Sequence, residues 1–152
     1  MSITKDYRFQ VTVDWLRDRL TKATADGKPD LEVATPPEFR GGIPNVWSPE
    51  ELLTASAASC FAVTFAAIAE RRHVPLLGLH VTGVAHITRR DDGRLGFVAI
   101  ELTAAVSTDA ELVLEAERAA RDAERACLVA AALDVPVHVD VAVHATPLEI
   151  VW

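Results

Sequence analysis

The sequence predicts an α+β fold, a mostly antiparallel sheet curling around one long buried helix. Three observations carry that expectation. Apolar and polar side chains alternate with a period of two in segments on both sides of a central stretch, the pattern of half-buried strands. The central stretch, Leu52 to Ala69, runs 18 residues without a charge. The strands come in runs and do not alternate strictly with helices, which points away from a parallel doubly wound sheet.

Arg8 to Trp15 alternates cleanly, with Phe9, Val11, Val13 and Trp15 on one face and Arg8, Gln10, Thr12 and Asp14 on the other. It is expected to be a half-buried strand. A polar stretch follows, holding Arg17, Arg19 and the turn signal Asp26-Gly27, and leads to a short strand over Leu31 to Ala34. Pro36, Pro37, Gly41, Gly42 and Pro44 then mark a loop. Ser48-Pro49-Glu50-Glu51 opens a helix: Ser48 can cap, Pro49 suits the first helical position, and Glu51 completes a Ser-x-x-Glu capping box. This helix is expected to run to about Arg72 and, being apolar or small nearly all round, to be central.

Leu79 to Thr88 and Leu95 to Val106 alternate again and join through Asp92-Gly93, so they read as a hairpin. Thr108-x-x-Glu111 is a second capping-box pattern. It is expected to open a helix whose solvated face is Glu115, Arg118, Arg121, Asp122 and Arg125, running towards Cys127 and a small-residue segment that ends near Leu133. Val137, Val139, Val141 and Val143 alternate with His138, Asp140, Ala142 and His144 as a last strand. No repeat, low-complexity tract or linker interrupts the 152 residues, so residues 1–152 read as one domain.

Composition excludes several function classes. A net charge of -7, with no clustered Lys and Arg, disfavours a nucleic-acid partner. The segment from Met1 to Gln10 has no apolar core of signal-peptide length, so a cytoplasmic location is expected. Leu52 to Ala69 reaches the lower length limit of a membrane span. Seven of its residues are Ala and four are Ser or Thr, a mix that suits a helix packed inside protein, and no membrane partner is expected. Neither cysteine has Cys or His neighbours at zinc-site spacing, so no metal is expected. His80, His86, His138 and His144 read as surface or interface residues. Phe61, Phe65 and Phe97 read as core, with some available to line an apolar pocket.

Two cysteines remain. Cys60 sits mid-helix in Ala58-Ser59-Cys60-Phe61-Ala62, and Cys127 stands where the charged helix gives way to Leu128-Val129-Ala130. By position alone each reads as a small buried residue, since free cysteine is among the most buried types.

Ser48-Pro49-Glu50-Glu51-Leu52-Leu53, followed by Ala57-Ala58-Ser59-Cys60-Phe61, resembles the signature of the osmotically inducible protein C and organic hydroperoxide resistance (OsmC/Ohr) family. The resemblance extends to the Thr35-Pro36 and Gly41-Gly42 loop, the hairpin and the late second cysteine, and covers about Arg8 to Val143. The chain departs from the family pattern in two places. Cys127-Leu128 stands where Cys-Pro is frequent, and Ser48 where asparagine is common before Pro-Glu.

The resemblance implies an intertwined homodimer acting as a thiol-dependent peroxidase on organic hydroperoxides, with no bound cofactor and an external dithiol or lipoyl-type reductant. It makes Cys60 the attacking thiol, Cys127 the resolving thiol and Glu50 the organising carboxylate. The family arginine falls after the first strand in one branch, where Arg17 and Arg19 stand, and in the loop before the helix in the other, where Arg40 stands. Arg17 ranks first among the three, with Arg19, Arg40 and Phe61 as binding candidates.

The chemistry needs these residue types. The thiolate is the nucleophile, and a free thiol with a pKa of about 8.5 is mostly protonated at neutral pH. A guanidinium favours the thiolate, and a carboxylate can fix the guanidinium through a bidentate pair. Attack on the O–O bond leaves a sulfenic acid, which a second thiol condenses with before further oxidation. Glu50 and Cys60 lie roughly 15 Å apart along one helix axis. If both serve one thiolate, two such helices pack antiparallel about a two-fold axis and build composite sites. Two other readings stay open: a hotdog-like acyl-thioesterase using Glu50, and a non-catalytic dimer that binds small apolar ligands.

Overall fold

The computed structural model describes residues 4–145. They divide within the first turn of the central helix into two units, one running up to Leu52 and the other from Leu53.

The first unit is a three-stranded antiparallel sheet in the order β1-β2-β3, formed by β1 (Thr12–Arg17), β2 (Leu20–Thr24) and β3 (Leu31–Ala34). From the sequence the β2 segment reads as polar connection. Leu-Thr-Lys-Ala-Thr has little apolar alternation of its own. It is a strand because neighbours on both sides satisfy its backbone, with Leu20 pairing both Arg17 and Ala34. The two-residue turn Asp18-Arg19 joins β1 to β2, with Asp18 at φ 45 and the Trp15 indole donating to the Asp18 carbonyl at 3.0 Å. Asp26-Gly27 forms the expected turn into β3, with Gly27 at φ 71.

The face of β1 expected to be half-buried is uncovered within the chain. Phe9, Val11, Val13 and Trp15 are 92%, 61%, 59% and 72% exposed. The loop after β3 folds back tightly: Ile43 N–H donates to Thr35 O at 2.9 Å and Ala34 N–H to Trp47 O at 2.8 Å. A Cβ at position 42 would lie 2.0 Å from the Pro36 carbonyl oxygen, so only glycine fits there.

The central helix is α1 (Pro49–Arg71). Its capping box forms as read: Ser48 N–H donates to a Glu51 carboxylate oxygen at 2.9 Å, and Glu51 N–H to the Ser48 hydroxyl at 3.1 Å. It ends in a Schellman turn, with Val74 N–H on Ala69 O and His73 N–H on Glu70 O, and His73 in the left-handed region at φ 55.

The second unit is a three-stranded sheet in the order β4-β5-β6, covered on one face by helices. The hairpin β4 (Gly78–Arg89) and β5 (Leu95–Ser107) is antiparallel and turns at Gly93, φ 83. The chain then passes through a 3-10 turn (Ala110–Leu112), α2 (Val113–Ala126) and α3 (Leu128–Ala132) to β6 (Val137–His144). β6 pairs parallel with β5, the one parallel ladder among the described strand pairs.

The second capping box is not made. Thr108 is buried, and its hydroxyl donates to Pro75 O at 2.7 Å, so it is spent on tying the end of β5 to the chain before β4. α2 begins later, without a side-chain cap.

The core sits between α1, α2 and the sheet. Ala57, Phe61, Phe65 and Ile68 of α1 recur at helical spacing and are buried against Ile100, Leu102, Ala104 and Val106 of β5 and Ala119, Ala120 and Ala123 of α2. Gly83 of β4 lets the helix approach: a Cβ there would lie 2.9 Å from Thr54 and 3.2 Å from Leu102. α1 is therefore buried along one stripe, while Ser56, Ser59, Val63, Ala66 and Ala67 on the other side are exposed. The opposite sheet face carries His80, His86, His138 and His144, all exposed, and His86 pairs with Glu101 at 3.0 Å.

Candidate functional site

The second unit brings the two cysteines together. Cys60 lies in the middle of α1, half-buried, one helical step before fully buried Phe61. Cys127 is 3% exposed and stands in extended conformation, φ -67 and ψ 109, as the hinge residue between α2 and α3. The amphipathic α2 docks through its alanine face, and the chain turns sharply at Cys127 to begin α3. That turn aims the first backbone N–H groups of α3 at sulfur.

Both cysteines are free thiols, and each sulfur acts on the ionisation of the other. Burial works against ionisation of Cys60, yet four hydrogen bonds outweigh it and bring the thiol below its ordinary range. The donors are the backbone N–H of Val129, the thiol of Cys127, the hydroxyl of Thr64 and the backbone N–H of Leu128. Cys127 moves the other way. Burial pushes it up, the Ala130 N–H works against that, and the neighbouring Cys60 sulfur, by hydrogen bonding and by its charge, raises it further against a small opposing effect of the Val129 N–H.

The pair is thus polarised. Cys60 gives up the first proton, and Cys127 keeps its own and donates it in a hydrogen bond. Two adjacent thiols that share one proton in this way form a coupled system, whose first and second ionisations belong to the pair.

The remaining candidates lie in other places. Glu50 is half-buried in the first turn of α1. Arg17 is the last residue of β1, exposed and ion-paired with Asp18 at 3.2 Å. Arg19 follows in the turn, and its side chain runs beside Gly41, so Arg17, Asp18, Arg19, Gly41, Gly42 and Ile43 line one recess of the first unit. Arg40 is exposed in the loop after β3. Phe61 is fully buried in the core and stacked on Phe65, ring centroids 6.1 Å apart.

The family resemblance assigns the stabilisation of the Cys60 thiolate to an arginine. The groups that lower the Cys60 pKa within the second unit are neutral. Thr64, Leu128 and Val129 were missed. Thr64 had a readable signal, because a residue four positions after Cys60 shares its helix face. The two backbone donors had none, since they depend on the turn at Cys127.

The fold has counterparts among solved structures. An OsmC-like protein of unknown function from Vibrio cholerae O1 biovar eltor is 16% identical, with a TM-score of 0.82 over 90% of this chain and 100% of that one. An organic hydroperoxide resistance protein from Elizabethkingia anophelis is 21% identical, with a TM-score of 0.74 over 93% of this chain and 100% of that one. A further organic hydroperoxide resistance protein, from Legionella pneumophila, is 23% identical, with a TM-score of 0.71 over 92% and 98%. No curated protein matches this chain. The family model described as OsmC-like protein matches residues 42–142, two thirds of the length, and the chain belongs to that family.

Proposed function

We propose that this protein is a thiol peroxidase that reduces organic hydroperoxides, with hydrogen peroxide as a secondary substrate, in defence against oxidative stress. The observation that carries the reading is the polarised Cys60–Cys127 pair, one sulfur drawn towards thiolate and the other held as thiol beside it. Family membership and the hydroperoxide-resistance proteins that share the fold support the same chemistry.

In the proposed cycle the Cys60 thiolate attacks the terminal peroxide oxygen. The O–O bond breaks, the alkoxide leaves and takes a proton, and Cys60 becomes a sulfenic acid. The Cys127 sulfur then displaces hydroxide from Cys60, forming the disulfide and releasing water. An external dithiol, a lipoyl-type reductant included, returns both thiols through a mixed disulfide. The cytoplasm supplies such reductants and is the proposed location.

The proposed unit is a homodimer. The exposed small-residue side of α1 and the exposed apolar face of β1 are each surfaces that a second copy can cover. Only 28% of the most apolar stretch of α1 is buried within the chain, although that helix is long and apolar enough to cross a membrane by length and composition. Glu50 and one arginine, Arg17 first and Arg19 or Arg40 otherwise, are the proposed organisers of the Cys60 thiolate.

One experiment tests the reading. After one equivalent of an organic hydroperoxide, mass spectrometry should find a Cys60–Cys127 disulfide, and Cys60→Ser should abolish peroxide consumption. Acyl-thioester hydrolysis that survives Cys60→Ser, with no peroxide consumed by the unmodified protein, replaces this reading with the thioesterase one. Cys127→Ser should leave a protein whose Cys60 is overoxidised within a few turnovers. Unchanged turnover with dithiol makes Cys127 structural.

A further inference from the structure

We infer that the outer face of α2 binds a short oligophosphate chain, held by the guanidinium groups of Arg118, Arg121 and Arg125. Helical spacing gathers these three residues. Ala116, Ala119, Ala120 and Ala123 are buried and fix one side of α2 to the core. Positions 118, 121 and 125 follow at intervals of three and four and share a strip on the opposite side. With Arg72, Glu115 and Asp122 they line an open recess of about 600 Å³, and every residue lining it is charged.

The ion pairs leave the outer arginines available. Arg72, in the turn that closes α1, stands between the two carboxylates: it pairs with Asp122 and lies 3.6 Å from Glu115. Arg118 meets Glu115 at 3.3 Å, and Arg125 meets Asp122. Arg121 has no ion pair among the described residues, although Glu117 and Glu124 lie within one turn of it. Four guanidinium groups thus face two carboxylates, a surplus of positive charge on a chain whose net charge is -7. The Arg72 side chain is 33% exposed and spent on its partners, whereas Arg118 and Arg125 are 63% and 71% exposed. A guanidinium carries five N–H donors, so one ion pair leaves most of them free to bind.

The chemistry of the recess selects its ligand. With no apolar lining it offers nothing to an apolar molecule, and its surplus charge repels a cation. Guanidinium forks match the oxygens of carboxylates and phosphates. A phosphoryl group carries more charge than a carboxylate, so it competes better with Glu115 and Asp122 for the same donors. Arg118 and Arg125 lie about 10 Å apart along the helix axis. A chain of linked phosphoryl groups can follow the strip across Arg121, whereas a lone phosphate would draw like charges together.

Titration calorimetry of the full chain at low salt tests this with tripolyphosphate, ATP, orthophosphate and citrate. Tripolyphosphate should bind about tenfold more tightly than orthophosphate, and its binding should weaken as sodium chloride screens the arginines. Arg121→Gln should weaken it about tenfold with the circular dichroism spectrum unchanged, because Arg121 is exposed. Arg121→Lys should recover only part of the loss, since the charge returns without the fork. Should Arg121→Gln fail to fold, Arg118→Gln makes the same measurement.

No binding of tripolyphosphate overturns the proposal, whether or not an RNA oligonucleotide binds in its place. So does citrate binding as tightly, which would reduce the site to charge alone, or full affinity in the folded glutamine variant. ATP separates the two sources of the same chemistry. Affinity equal to that of tripolyphosphate assigns the recess to the phosphate tail of a nucleotide, and tripolyphosphate without ATP assigns it to a free chain. Neither cysteine takes part, so the result is independent of the peroxidase reading.

Discussion

Two thiols of the same intrinsic acidity part company here because their surroundings differ. Cys60 collects four hydrogen bonds that favour its anion, whereas Cys127 is more deeply buried and faces the charge that Cys60 acquires. The consequence for pH follows directly. Thiolate fraction, and so alkylation rate, rises as pH passes upward through each midpoint. Cys60 lies below the ordinary thiol range and should reach its plateau first, and Cys127 lies above it and should react last. At neutral pH a single equivalent of iodoacetamide should therefore label the Cys60 peptide almost exclusively. Equal labelling of the two peptides, or a Cys60 profile matching free cysteine, overturns this assignment. Residue type and position made Cys60 visible in the sequence, but not the set of atoms that act on it.

At the scale of the element, α1 illustrates how local signals succeed. Its start was legible because Ser48 and Glu51 satisfy each other's backbone N–H groups without help from the rest of the fold. Thr108 and Glu111 have the same spacing and fail, because a buried Thr108 finds a better partner in the Pro75 carbonyl. Ser48 is as buried as Thr108 and keeps its box, so the competing carbonyl decides the outcome and not burial. The C-terminus of α1 places His73 at φ 55, where a side chain is strained and glycine is not. His73→Gly should stabilise the protein by about 1 kcal/mol and raise the thermal midpoint by about 3 °C. A lower midpoint would mean that the His73 side chain makes a stabilising contact worth more than the strain.

At the scale of the whole molecule, the exposed apolar side chains ask for a partner. Phe9 is 92% exposed and Trp15 72%, far more than stray apolar residues on a surface. A second copy covering this face is the proposed explanation, and Phe9 is the cleanest probe because it supports little of its own chain. Phe9→Glu should shift the mass seen by light scattering towards the monomer while leaving the circular dichroism spectrum intact. An unchanged mass removes this face from the proposed interface. The β1 pattern shows the boundary of sequence reading. Alternation announces that one face will be covered, and it says nothing about which molecule covers it.

The sequence by itself determined the α+β class, the central helix with its cap, the hairpin and the last strand, because each rests on short-range periodicity and turn chemistry. It also singled out both cysteines, through residue type and resemblance. Only the tertiary structure made β2 a strand, paired β6 parallel to β5, and turned the chain at Cys127 so that thiol, hydroxyl and two amides converge on Cys60. These outcomes depend on partners distant in sequence, whose positions are set by packing rather than by any neighbour along the chain.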